Sequence, residues 1–187
     1  MIEREVRYRI NEEIKNKIIN SSSSVEPSNR CVDVCMGKYG FDSLDKLGYI
    51  IRLRNKDGKC VMESKKRLDN NSWQESSIRL NTMKEGYDFL KNIGLEAYLY
   101  INRTREVRKI EMAKIFIDKV DLLGDFVEFE LKEGYEFSDL EGYLNENGID
   151  SKPEKLYGDI FKEKNQDEKF RIELANRLNE FLNEGKI

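Results

Sequence analysis

Several segments of this chain alternate charged and apolar residues with a period of two, which confines them to strands whose two faces differ in kind. IEREVRYRI puts Glu3, Glu5, Arg7 and Arg9 on one face and Arg4, Val6, Tyr8 and Ile10 on the other. In YIIRLR, Arg52 and Arg54 share a face; in DFVEFEL, Glu128 and Glu130 lie together while Val127, Phe129 and Leu131 point oppositely. The apolar alternate face argues against disordered charge runs. An ordinary domain would have to bury the charged face or turn it to water.

The remaining pattern is strand-rich. YIIRLR, the turn-forming NKDG and KCVMESK predict a β-hairpin over Tyr49–Lys65, with Asn55–Gly58 as the connection. On its second arm Lys59, Val61, Glu63 and Lys65 share a face, opposite Cys60 and Met62. Further strands are expected at Arg30–Met36, Trp73–Leu80, Tyr98–Val107, Lys109–Val120 and Asp125–Leu131, and the serine run Ser21–Ser24 reads as an exposed linker. Thr82 and Glu85 form a capping-box candidate for a helix ending near Gly94, and Ser138 and Glu141 another before Gly148. Pro153 admits a helical turn through Leu156 and Ile160, and Phe170, Leu174, Leu178, Phe181 and Leu182 predict an amphipathic terminal helix. One discontinuous sheet or barrel explains this distribution more economically than two separate domains.

Composition narrows the chemistry. The 187 residues include 33 basic and 36 acidic side chains and no histidine, so His-based triads, His-liganded zinc and histidine general bases are excluded. A formal charge of -3 and a pI near 5.4 predict no general attraction to nucleic acid but permit a locally basic cavity. Cys31, Cys35 and Cys60 form no CxxC pair and argue against both a disulfide framework and a zinc knuckle. No long apolar run is present and charge begins within Met1–Ile10, so a cytoplasmic chain without a membrane partner is expected.

The charged faces could form two opposed sets. Glu3, Glu5, Asp118, Glu128 and Glu130 offer oxygen ligands suited to Mg²⁺ or Mn²⁺, which need neither histidine nor cysteine. Arg7, Arg9, Arg52, Arg54, Lys65, Arg103 and Arg105 recur at strand spacing and could surround a polyphosphate, since arginine makes bidentate contacts to phosphate oxygens.

In this order the motifs resemble the CYTH family, the triphosphate tunnel metalloenzymes. EREVR is similar to the family's E-x-E-x-K signature, with Arg7 in place of lysine; the likeness continues through IRLR at 51–54, Lys65, RTR at 103–105 and IDKVDLLGDFVEFE at 117–130. It covers roughly residues 1–161, leaving 162–187 as a helical extension that packs on the domain or a partner, with a homodimer as one arrangement. The resemblance implies an α+β fold, an antiparallel barrel or tunnel of about eight strands flanked by helices. It further implies a Mg²⁺- or Mn²⁺-dependent triphosphatase acting on inorganic tripolyphosphate or a small organic triphosphate; cyclisation of ATP to cyclic AMP and non-enzymatic polyphosphate binding are the alternatives. Catalysis would rest on Glu3, Glu5, Lys65 and Glu130, with Lys155 and Tyr157 approaching the ligand. Glu63 and Glu75 are additional candidates; Ser77, two residues beyond Glu75, cannot supply a metal carboxylate.

Overall fold

Strands that are charged on one face and apolar on the other are accommodated when the sheet closes and both faces are covered. The computed structural model describes residues 2–69 and 72–183. In it β1 (Ile2–Arg9), β2 (Ser23–Gly37), β3 (Tyr49–Lys56), β4 (Lys59–Arg67), β5 (Ser72–Leu80), β6 (Glu96–Lys109), β7 (Ala113–Val120) and β8 (Gly124–Leu131) form a closed antiparallel barrel, ordered β1-β5-β4-β3-β2-β6-β7-β8. Helices α1 (Glu12–Ser21), α2 (Ser43–Leu47), α3 (Met83–Asn92), α4 (Glu141–Glu146), α5 (Tyr157–Lys164) and α6 (Glu168–Asn183) flank it. This is the α+β barrel that the sequence predicts.

The barrel is lined with charge, and much of its apolar core lies outside the sheet. Val6, Tyr8, Ile115, Ile117, Val127 and Phe129 face outward from β1, β7 and β8 and are buried with Ile18 of α1 and Leu140. On the other side Val32, Val34, Leu53 and Cys60 are covered by Met83 and Leu90 of α3 and Phe181 of α6. Each such side chain removed from water contributes about 1.5–3 kcal/mol, so the helices are what allow both strand faces to be buried. Leu178, Phe181 and Leu182 of α6 pack on the second of these outer clusters, and Leu174 packs with Tyr157, Ile160 and Phe161 of α5. Residues 184–187 of the expected extension lie outside the described residues.

Local departures from the sequence reading have identifiable causes. The β3–β4 turn is tighter than NKDG: Lys56 pairs with Lys59, leaving Asp57 and Gly58 at φ 50° and 78°, the two-residue geometry that suits strand twist. The serine run is structural, not a linker. Ser21 ends α1 and its hydroxyl donates to the Lys17 carbonyl at 2.9 Å; the Ser22 hydroxyl accepts from Arg108 Nε at 2.7 Å; Ser23 begins β2. β2 therefore runs for 15 residues, with register shifts either side of Glu26 that absorb Pro27. Thr82 caps α3 by accepting from Glu85 N at 3.2 Å, while the Glu85 carboxylate reaches Asn81 N. Near α4 the reciprocal box is made by Glu136 and Asp139 on the 3-10 turn Phe137–Leu140, two residues earlier than the Ser138 and Glu141 reading. Among the described residues no helix is long and apolar enough to cross a membrane.

Candidate functional site

The inward positions of the strands enclose a cavity of about 280 Å³. β1 contributes Glu3, Glu5 and Arg7, β3 Arg52 and Arg54, β4 Lys65, β5 Glu75, β6 Arg103 and Arg105, and β8 Glu128 and Glu130. Period-two alternation is the reason: residues two apart on each strand look into the same space. Toward one end the inward residues turn apolar, and Leu99, Ile101, Val120 and Phe126 pack on Tyr157, Ile160 and Phe161 of α5, which plug the barrel.

The cationic side is organised by two buried aspartates. Asp33 accepts from Arg54 Nε and Nη2 at 2.7 and 3.1 Å and from Arg103 Nη1 at 2.8 Å, with Arg52 at 3.9 Å. Burial opposes its charge, but Arg103, Arg54 and Arg52 hold the carboxyl well below the usual aspartate range. Asp118 takes Arg105 in a fork at 2.7 and 2.6 Å and the Tyr157 hydroxyl at 2.9 Å. These bonds fix the guanidinium planes before any ligand arrives. Asp118 is thereby committed to Arg105 and Tyr157 and does not line the cavity with the glutamates.

The acidic side is built differently. Lys65 Nζ stands 2.9 Å from Glu3 and 3.7 Å from Glu5. Burial and then the Glu128 carboxylate push the Glu5 carboxyl up, and burial with neighbouring Glu3 does the same to Glu130. Glu3 and Glu75 hydrogen-bond to each other: burial works against ionisation of both, yet the Glu3 carboxyl is lowered and that of Glu75 is raised to about 7. Burial likewise opposes the charge of Glu128, but Arg7, Arg105 and Lys65 hold its carboxyl below the ordinary range. Arg7 pairs with Glu128 and lies 4.0 Å from the Tyr157 ring centroid. Among the described residues no three acidic side chains are grouped tightly enough, as placed, to hold an ion. By donor type, however, Glu3, Glu5, Glu75, Glu128 and Glu130 fit a hard divalent cation, presenting carboxylate oxygens to one cavity in which Lys65 is the cation beside Glu3 and Glu5.

Glu63 is buried and pairs with both Arg52 and Arg54, so it orients cations. Two expected ligand contacts lie elsewhere. Arg9, the last residue of β1, points past the plug: it donates to the Leu123 carbonyl at 2.6 Å, pairs with Glu154 at 3.3 Å and stands outside the cavity. Lys155 is exposed and pairs with Glu163, although its carbonyl accepts from Arg7 Nη1 at 3.2 Å. Conversely, Asp33, Lys56, Trp73 and Lys114 line the cavity without having been picked out in sequence. The signal for Asp33 was Val32-Asp33-Val34, an alternation like those of the other strands.

No protein-family model matches the sequence, and no curated protein matches it. Solved structures do resemble it. The PH1012 protein of Pyrococcus horikoshii OT3 is 21% identical with a TM-score of 0.74, the match covering 84% of this chain and 98% of that one. A Vibrio parahaemolyticus protein named as a candidate adenylate cyclase is 17% identical with a TM-score of 0.71, over 87% and 98% of the two chains. The Hippeastrum protein HpAC1, described as having a dominant triphosphatase activity, is 16% identical with a TM-score of 0.60, over 79% and 88%. What these proteins and this chain have in common is the fold.

Proposed function

We propose that this chain is a CYTH-type triphosphate tunnel enzyme, a Mg²⁺- or Mn²⁺-dependent triphosphatase acting on inorganic tripolyphosphate or a small organic triphosphate. The observation that carries this reading is a closed barrel whose interior sets a fan of guanidinium groups across from a row of glutamates. Similarity in fold to the Hippeastrum protein, with its dominant triphosphatase activity, supports hydrolysis as the reaction.

In this reading Arg52, Arg54, Arg103, Arg105 and Lys65 bind phosphate oxygens, and Arg7 closes the cationic set beside Tyr157. A polyanion would gain charge-assisted hydrogen bonds from donors already oriented by Asp33 and Asp118, so little reorganisation opposes the charge that develops as a P–O bond breaks. Glu3, Glu5, Glu75, Glu128 and Glu130 would hold the divalent ion, which when bound supplies charge neutralisation and Lewis-acid polarisation of phosphoryl oxygen. Lys65, beside Glu3 and Glu5, would then be released toward the substrate. The α5 plug keeps water from entering through that end of the barrel.

A second reading, cyclisation of ATP, draws on Phe41, Leu44, Ile50 and Tyr98, apolar residues lining the same cavity that offer a surface for an aromatic base. Product-resolved turnover of tripolyphosphate, thiamine triphosphate and ATP with Mg²⁺ and Mn²⁺ separates the readings: orthophosphate release supports hydrolysis, and pyrophosphate with cyclic AMP supports cyclisation. Glu5→Gln and Lys65→Ala should each lower turnover by about a hundredfold or more. Tight binding without turnover would favour a polyphosphate-binding protein, and no metal-dependent release from any triphosphate would sink the hydrolase.

A further inference from the structure

Lys56 on β3 and Lys114 on β7 line the tunnel but have no part in the proposed chemistry. Strand parity puts both at the end away from α5. On β7 the inward series runs Val120, Asp118, Phe116, Lys114, and Val120 packs with the plug. On β3 it runs Ile50, Arg52, Arg54, Lys56, and Arg52 pairs in register with Cys35 of the same plug cluster. Each lysine is therefore the outermost inward position of its strand, and both are partly exposed where Arg103 and Arg105, deeper in, are buried. The run of inward cations thus continues past the arginines given to a triphosphate, by about 7 Å along β3 from Arg54 to Lys56.

The two lysines are also held differently from the deeper cations, which wall carboxylates fix: Arg54 and Arg103 by Asp33, Arg105 by Asp118, Lys65 by Glu3. Among the described residues no carboxylate lies within ion-pair distance of Lys114, although Glu130 is opposite it in the β7–β8 register. Its Nζ stands instead 5.0 Å from the Phe116 ring centroid, and the Arg105 guanidinium stands 4.3 Å from the same centroid. One ring therefore sets Lys114 beside an arginine of the phosphate-binding set. Lys56 pairs with Glu26, whose side chain is 44% exposed and sits where the β2 register shifts. Exposed ion pairs are weak, so a phosphate oxygen can take Lys56 from Glu26. Of the other carboxylates at this mouth, Glu3 is paired with Lys65, and Glu130 belongs with it to the set proposed for the divalent ion.

We propose that Lys56 and Lys114 form a further phosphate subsite at the mouth of the tunnel, so that the protein takes linear inorganic polyphosphate of four or more units. Ammonium groups suit this position: they neutralise successive phosphoryl groups without demanding the single orientation that a guanidinium fork imposes. The inference rests on the reading of the tunnel as a polyphosphate site, but not on hydrolysis.

Calorimetric titration of the full-length protein with tripolyphosphate and with tetrapolyphosphate, without divalent metal so that nothing turns over, tests it. Tetrapolyphosphate should bind about tenfold or more tightly than tripolyphosphate. Lys114→Gln should weaken tetrapolyphosphate about tenfold more than it weakens tripolyphosphate, and Lys56→Gln should act in the same sense but less, because Glu26 already competes for Lys56. Lys59→Gln, an exposed cation outside the tunnel, controls for net charge and should change either affinity by less than about twofold. Circular dichroism checks that the variants are folded. The inference is overturned if the fourth unit adds no affinity, if Lys114→Gln weakens both ligands equally, or if Lys59→Gln matches it. Tripolyphosphate bound and hydrolysed with no gain from a fourth unit would leave the proposed function standing, whereas binding of neither ligand would overturn both. Tetrapolyphosphate held through Lys114 with no turnover of any triphosphate would sustain the subsite and sink the hydrolase.

Discussion

Removing the Asp33 carboxylate should destabilise the fold more than removing any single cation from the same cavity wall. Asp33 is 1% exposed and takes both nitrogens of one arginine fork and one nitrogen of a second arginine, at 2.7, 3.1 and 2.8 Å, with a third guanidinium 3.9 Å away. In Asp33→Ala, Arg54 loses its fork and Arg103 its hydrogen-bonded carboxylate, while Arg54 keeps Glu63 and Arg103 keeps Asp118 at 3.6 Å and the Cys31 sulfur at 3.5 Å. Breaking a buried ion pair from one side costs about 3–5 kcal/mol. For a chain of this size each kcal/mol moves the melting temperature by about 2–4 °C, so a fall of roughly 6–20 °C is expected. Asp33→Asn, which keeps one acceptor but no charge, should fall by less. The folded carboxyl is depressed, so its stabilisation is complete above the unfolded aspartate value of 3.8 and is lost as pH falls below that value through the folded one. The gap between wild type and Asp33→Asn should therefore be flat at neutral pH and narrow only in strong acid. Thermal and urea unfolding followed by circular dichroism would measure it. A melting temperature for Asp33→Ala within about 2 °C of wild type would refute the claim that this carboxylate neutralises the arginine fan.

Other consequences can be checked with single changes. Arg52→Ala should weaken tripolyphosphate binding about 10- to 100-fold by calorimetry, whereas Arg9→Ala, outside the cavity, should change it by less than about twofold; equal effects would contradict the placement of Arg9. Tyr157→Phe removes the 2.9 Å bond to Asp118 and should cost about 1–2 kcal/mol in urea unfolding, with the barrel retained. Gly86→Ala would set a Cβ 2.6 Å from both Leu53 Cδ2 and Leu80 Cδ1, and should destabilise by about 1–3 kcal/mol although alanine is the better helix former.

The strands and much of the cavity could be read from sequence because alternation is a local signal. Glu3, Glu5, Arg52, Arg54 and Glu128 alternate with apolar residues on their own strands, and all line the cavity. Where the signal was not local, the reading failed. The first half of β2 is exposed along most of its length and carries serines and a proline, so it resembled a linker although it pairs with β6. Asp33 carries the local alternation Val32-Asp33-Val34, but its arginine partners lie 21 and 70 residues away, so its part in organising them is not written near it in sequence. Arg9 shows the opposite failure: it keeps the parity of Arg7, but as the last residue of β1 it has passed the plugged end of the barrel, and parity no longer determines what it meets.

The helices that cover the outside of the barrel make every strand carry two messages, one at odd positions and one at even. Substituting a residue edits one message at a time. Inserting or deleting a residue within a strand would transpose them, driving arginines and glutamates under the helices and valines into the cavity in one step. Changes of chain length are thus confined to the connections, where the exposed Asp57-Gly58 turn and the loop at Gly134 have nothing to keep in phase.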